Sequence, residues 1–340
     1  MSLVTAILQK IWDYVWLLTY ISYQVLFIVF PTKALIEVDL PIACSVALTM
    51  EQLRQLMKIH AFVRSVGAKF VSYKPHTETP RPSSPSFSHY LYFLFAPTLV
   101  YRDSYPRTKE IRWKVVLRNF VELGMVIFYL AFIMERFMIP TFHIFGTQSL
   151  DWRWYLKSIL GTTVPGILIF TSGFYGLLHV WMNAWAEMLR FADRLFYKDW
   201  WNCTSYRTYY RTWNVVVHDW LYTYVYKDMY EIVSPRNKAL ATYTVFFISS
   251  IFHEYLLAFT FRFFYPVMLF MFGGIGYMMV FVGRSAGNIF MWTSLCIGSG
   301  IMTSMYAIEY YARINCQPYD NEYLDMILPR SWSCQPWSTA

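Results

Sequence analysis

The chain has 340 residues, enough for one large domain or two ordinary ones; 56% are hydrophobic, 21% aromatic and only 15% charged. A soluble domain carries about 25% charged residues, so this composition, with a mean hydropathy of +0.32, excludes one and fits an all-α polytopic membrane protein. The formal charge of +8 then belongs to loops facing anionic lipid or an anionic ligand rather than nucleic acid, and five scattered cysteines exclude a disulfide scaffold.

No cleavable signal is expected, because Met1–Lys10 has one basic residue and no small-residue cleavage site follows. Seven segments are long and apolar enough to span a bilayer at about 1.5 Å per residue: 11–30, 40–63, 113–139, 156–186, 239–261, 265–282 and 288–311. Glu51, Arg54 and Lys58 interrupt the second, which also reads as a buried or tilted helix. Pro165, with Gly161 and Gly166, is expected to kink the fourth. Tyr265-Pro266 makes a tight hairpin between the fifth and sixth. Pro75–Pro85 is Pro/Ser-rich and reads as a flexible linker. The run Tyr90–Tyr101 is only a dozen residues long and is broken by Pro97, so it reads as interfacial or re-entrant. The whole chain, 1–340, reads as a single domain ending in a tail over 312–340.

Loop charges set the orientation. Lysines and arginines crowd the connections after segments two and four, while the opposite loops hold few, such as Lys33 and Arg136. The amino terminus is therefore expected in the cytoplasm and the tail on the far side.

Four constellations carry candidate chemistry. His253 lies roughly 20 Å along segment five from its cytoplasmic end. Ser249 shares its helical face, whereas Glu254 points elsewhere. A buried neutral imidazole serves there as a general base or as a packing residue. His179 and Asn183, also four apart, with Glu187 one turn further, make a rival site. Asn214 and His218 form a third pair on one face, with Asn214 either donating to a carbonyl that gains charge or capping a helix. Phe196–Asn202, with Lys198, Asp199, Arg207, Arg211 and Lys238, makes a basic, aromatic-lined vestibule suited to a phosphorylated cofactor with an adenine ring, or a plain interfacial belt. No metal-ligand spacing, Gly-x-Ser-x-Gly elbow, Gly-rich phosphate loop or Cys-x-x-Cys is evident, so any acyl transfer is expected to be direct.

Phe196-Tyr197-Lys198-Asp199-Trp200-Trp201-Asn202, Trp213-Asn214 and His253-Glu254-Tyr255 resemble the signatures of the sterol and diacylglycerol O-acyltransferase branch of the membrane-bound O-acyltransferases. Tyr90–Arg107, Tyr209–Tyr222 and Arg330–Cys334 resemble its sterol members, and the resemblance runs from about residue 10 to 337. It implies a helix-bundle enzyme of the endoplasmic reticulum that esterifies a sterol 3β-hydroxyl from long-chain fatty acyl-CoA. Diacylglycerol acylation, an inactive sterol-binding scaffold and a transporter are the alternatives. It assigns His253 as base and Asn214 as the group steadying the thioester or oxyanion. Phe196, Tyr197, Asp199, Trp200, Trp201, Asn202, Arg211, Trp213, His218, Lys238 and Ser249 would surround the substrates. Acyl-CoA would be a co-substrate, with no permanently bound cofactor or metal, in a membrane-embedded homo-oligomer. The sterol enzymes have nine spans, so the chain is expected to begin near their third. In this orientation Cys316 and Cys334 lie in the oxidising lumen and are expected to bridge, leaving Cys44, Cys203 and Cys296 free.

Overall fold

The computed structural model describes residues 3–38, 40–71, 82–282 and 287–335; residues 75–81 of the expected linker lie outside these. Among the described residues the chain is helical, with two isolated bridges and no extended ladder. The long helices are α1 (Leu3–Val38), α2 (Ile42–Val71), α4 (Trp113–Phe142), α5 (Trp152–Met188), α8 (Lys238–Phe261) and α10 (Gly287–Asn315). Shorter ones are α3 (Phe87–Phe95), α6 (Tyr206–Thr212), α7 (Val215–Leu221), α9 (Leu269–Met279) and α11 (Glu322–Ile327).

Four helices among the described residues are long and apolar enough to cross a membrane: Lys10–Val38 within α1, then α4, α5 and α8. The expected second and seventh segments form helices of 30 and 29 residues, long enough to cross but more polar. The sixth shortens to α9, and the turn before it places Arg262 in the left-handed region, φ 61°.

The charges of α2 have partners that its sequence does not advertise. Lys58 is buried, and its ammonium donates to the carbonyls of Phe93 at 2.5 Å and Ala96 at 2.7 Å. Phe93 O is a carbonyl that α3 leaves without an intrahelical partner as it ends before Pro97. Ala96 O, which also accepts from Thr98 N, lies beside it, so the Lys58 amine completes the helix terminus. Arg54 adds a bond to Leu94 O at 2.6 Å. Gln52 donates to Phe27 O and Ile28 O of α1 and accepts from the Tyr255 hydroxyl of α8, which locks three helices together.

In α5 the helix breaks at Thr162 (φ −93°, ψ 0°), three residues before Pro165, as the missing proline N–H requires. Here α5 meets α10 closely. A Cβ at Gly300 would stand 2.9 Å from Thr163 Cα, so only glycine fits. Two groups of helices result: α1, α2, α8 and α9 on one side, α4, α5 and α10 on the other. Residues 196–226 lie between them.

Candidate active site

The 196–202 segment is held by its own backbone. Phe196 O accepts from Val215 N at 2.9 Å, and Lys198 N donates to Thr212 O at 2.8 Å. These bonds tie the segment to the turn that carries Trp213 and Asn214. Phe196 and Trp200 are buried core residues. Trp200 packs on Trp213 (centroids 4.6 Å apart), on Phe174 of α5 (5.2 Å) and on Trp292 of α10 (5.5 Å), while Trp213 stacks on Phe170 at 4.5 Å. Trp201 O accepts from Asn288 Nδ2 and Trp292 Nε1.

Other side chains of the segment face open space. Tyr197, Lys198, Asp199 and Asn202 line a cavity of about 590 Å³ together with Thr208 and Thr212. Lys198, Thr208 and Thr212 also line a second cavity of about 360 Å³, with Arg211, Val215, His218 and Asp219. The two cavities therefore share a wall that carries Lys198, and Arg211 adds a second cation in the second cavity.

Asn214 is the N-cap of α7: its Oδ1 accepts from Val217 N at 3.1 Å. The cap commits the oxygen and leaves the two Nδ2 hydrogens to donate elsewhere. The helical register does put His218 one turn further on, where it lines the second cavity.

His253 sits on α8 and keeps some exposed surface, although its ring is flanked by neighbouring side chains. Its Nδ1 lies 2.7 Å from the Ser249 carbonyl. A carbonyl only accepts, so Nδ1 carries the proton and Nε2 keeps a lone pair. Ser249 Oγ is 3.5 Å from the same Nδ1. The ring packs beside Phe272 of α9 (5.4 Å), which meets Tyr210 of α6 (5.7 Å), next to Arg211. His253 and Ser249 line neither of the two cavities, and Lys238, at the first residue of α8, lies about 22 Å away along the helix.

The neighbour Glu254 points elsewhere and is buried. It accepts from Leu269 N at 3.1 Å and from the Tyr306 hydroxyl at 3.2 Å, capping the start of α9. At the rival site Asn183 bonds the His179 carbonyl, and Glu187 is enclosed by Arg112 and Arg194 at 2.9 and 2.7 Å. His179 itself, in a π-helical stretch of α5, bonds the Tyr197 hydroxyl at 2.7 Å. Eighteen residues separate them, and no local spacing signals that pair. The groups of three or more His, Cys, Asp or Glu that would suit a metal ion are not found among the described residues.

Cys316 and Cys334 are bonded, and Cys44, Cys203 and Cys296 are free thiols.

The sequence model of the membrane-bound O-acyltransferase family matches residues 38–308. Among curated proteins, the chain is 44% identical over 328 residues to sterol O-acyltransferase 2 of Mus musculus, covering 93% of this chain and 60% of that protein. It is 43% identical over 322 residues to sterol O-acyltransferase 2 of Homo sapiens (92% and 60%) and 43% over 310 residues to sterol O-acyltransferase 1 of Mus musculus (90% and 57%). The chain thus spans about 60% of the length of the curated relatives it matches.

Proposed function

We propose that this chain, which belongs to the membrane-bound O-acyltransferase family, transfers a long-chain fatty acyl group from acyl-CoA to the 3β-hydroxyl of a sterol in the endoplasmic reticulum membrane. The acceptor class comes from the similarity to sterol O-acyltransferases. The observation that carries the chemistry is the 2.7 Å contact between His253 Nδ1 and the Ser249 carbonyl, which assigns the proton to Nδ1.

With Nδ1 occupied, Nε2 takes the hydroxyl proton as the sterol oxygen attacks the thioester carbon. The carbonyl oxygen gains charge, and the Asn214 amide hydrogens stabilise it. The C–S bond then breaks, and the CoA thiolate takes back the proton from the imidazolium, giving ester, CoA thiol and neutral histidine. No acyl-enzyme forms. Lys198, Arg211 and Lys238 hold the phosphates of acyl-CoA, and the aromatic wall around Trp200 and Trp213 keeps water from the thioester. Acyl-CoA is a co-substrate here, and the enzyme acts as a homo-oligomer.

The test offers membranes containing the protein labelled oleoyl-CoA with cholesterol and, separately, diacylglycerol. The reading expects cholesteryl oleate. Triacylglycerol in its place would overturn the acceptor, and acyl-CoA binding with no ester from either would favour a sterol-binding scaffold.

A further inference from the structure

The segment that follows α10 buries an ion pair and exposes much of its apolar surface. Asp325 and Arg330 turn inward, while Asp320 and Glu322 stay exposed. Asp325 and Arg330 pair at 2.6 Å with only 16% and 14% of their side chains exposed, and Arg313 pairs at 2.6 Å with fully buried Glu309. Glu309 also accepts from the backbone N–H of Arg330 and Ser331 at 3.0 Å each. The apolar side chains turn outward instead: Tyr323 is 80% exposed, Trp332 72% and Ile327 56%, with Leu324 and Met326 exposed beside them. In water this order is unfavourable, since each Å² of apolar surface left wet forgoes about 25 cal/mol. A contiguous patch of this kind marks a contact surface.

The position of the patch shows what it contacts. Phe264 N, three residues beyond the end of α8, donates to Met326 O at 2.9 Å. Phe264 is itself exposed, as is Ile314 in the last turn of α10. The patch therefore continues the apolar outer surface of two long helices at the level where they end. Tyrosine and tryptophan suit that level, where a ring meets lipid and its polar atom meets water. A protein partner fits less well, because a standard interface takes roughly 20–30 residues a side, and this face presents about six.

We infer that residues 319–334 form a rigid plate lying on the bilayer, whose outer face, Tyr323, Leu324, Ile327 and Trp332, enters the interfacial zone of the leaflet where α8 ends. The Cys316–Cys334 bond closes the plate. Arg330 braces it from within by donating to the carbonyls of Arg313 and Cys316 at 3.0 and 3.3 Å. The inference does not depend on the acyltransferase reading.

The test places the full chain in phosphatidylcholine nanodiscs, with its three free cysteines replaced by serine and its disulfide intact. Nitroxide labels are attached at Ile327→Cys, Trp332→Cys and, as a reference, Asp320→Cys. Each protein is first required to keep the thermal midpoint of its unlabelled parent; if one label disturbs folding, the other carries the test. The labels at 327 and 332 should collide severalfold more with oxygen than with a water-soluble nickel chelate, at a depth of about 5–10 Å, with the reverse at 320. Collision with the chelate at all three positions overturns the inference. So does shielding from both reagents, or dipolar broadening between copies, either of which means that protein covers the face.

Discussion

Val215 donates its backbone N–H to the Phe196 carbonyl at 2.9 Å, and this bond explains how the aromatic signature serves the residue beside it. Asn214 sits immediately before Val215, so whatever fixes Phe196 also fixes Asn214. Phe196 and Trp200 are buried, and they act as the anchor of that turn. Tyr197, Asp199 and Asn202 face the cavity and are available to a ligand. The signature thus divides between anchoring residues and residues that line the cavity.

Asn214 combines two roles that one pair of variants separates. Asn214→Asp keeps an oxygen for the Val217 N–H and removes the amide donors. It should keep its thermal midpoint while ester formation falls about 10²-fold or more. Asn214→Ala should lose both turnover and about 1 kcal/mol of stability. Near wild-type turnover in the aspartate variant would leave Asn214 with only its capping role.

Lys58→Met should destabilise the protein by about 3 kcal/mol, since the Phe93 and Ala96 carbonyls lose a charged donor in a buried place. Lys69→Met, at the exposed pair with Asp103, should change stability by no more than about 1 kcal/mol. Thermal melts of both variants in the same detergent check the contrast.

The helix order is legible in the long apolar runs themselves, because a bilayer-length stretch has few other uses. The kink near Pro165 is legible for the same kind of local reason. Partners far apart in the chain are not. Lys58 reads as an interruption of a span, and only the packing of α3 reveals the carbonyls it serves, from 35 and 38 residues away. The His179–Tyr197 bond and the shared wall of Thr208 and Thr212 likewise depend on how α5 and α6 pack. His253 and Asn214 stand out as residue types in unusual places. The tautomer and the cap that define their chemistry are backbone contacts, which residue identity does not reveal.

Asp325 gives the tail a pH dependence. Burial pushes its carboxyl up, but hydrogen bonds from Arg330 and the Tyr319 N–H, with the charges of Arg330 and Arg313, outweigh this and hold it below the usual aspartate range. A depressed folded value means that its contribution is complete above the unfolded value, near pH 4, and is lost as pH falls through the lower folded one. Thermal midpoints measured from pH 7 to pH 3 should therefore drop below about pH 4. Asp325→Asn should be less stable at pH 7 and show a smaller drop; an equal drop would place the acid sensitivity elsewhere.

The loop charges predict that Asn202 faces the cytoplasm, in which case its Asn-Cys-Thr sequon should carry no glycan. The bonded Cys316 and Cys334 should resist alkylation without reductant, as expected for a lumenal pair. A glycosidase-sensitive mass shift that disappears in Asn202→Gln would reverse the orientation.

The central claim is that Nε2 of His253 removes the acceptor's proton, and the most direct measurement is sterol ester formation by His253→Ala beside its acyl-CoA binding. A general base contributes about 10²–10⁴-fold in rate. The variant should lose at least that factor while acyl-CoA binding, held by Lys198, Arg211 and Lys238, stays near wild type. His179→Ala, tested in parallel, should act mainly through stability. A well-folded His253→Ala protein that keeps near wild-type turnover, while His179→Ala loses it, would contradict the account and move the base to α5.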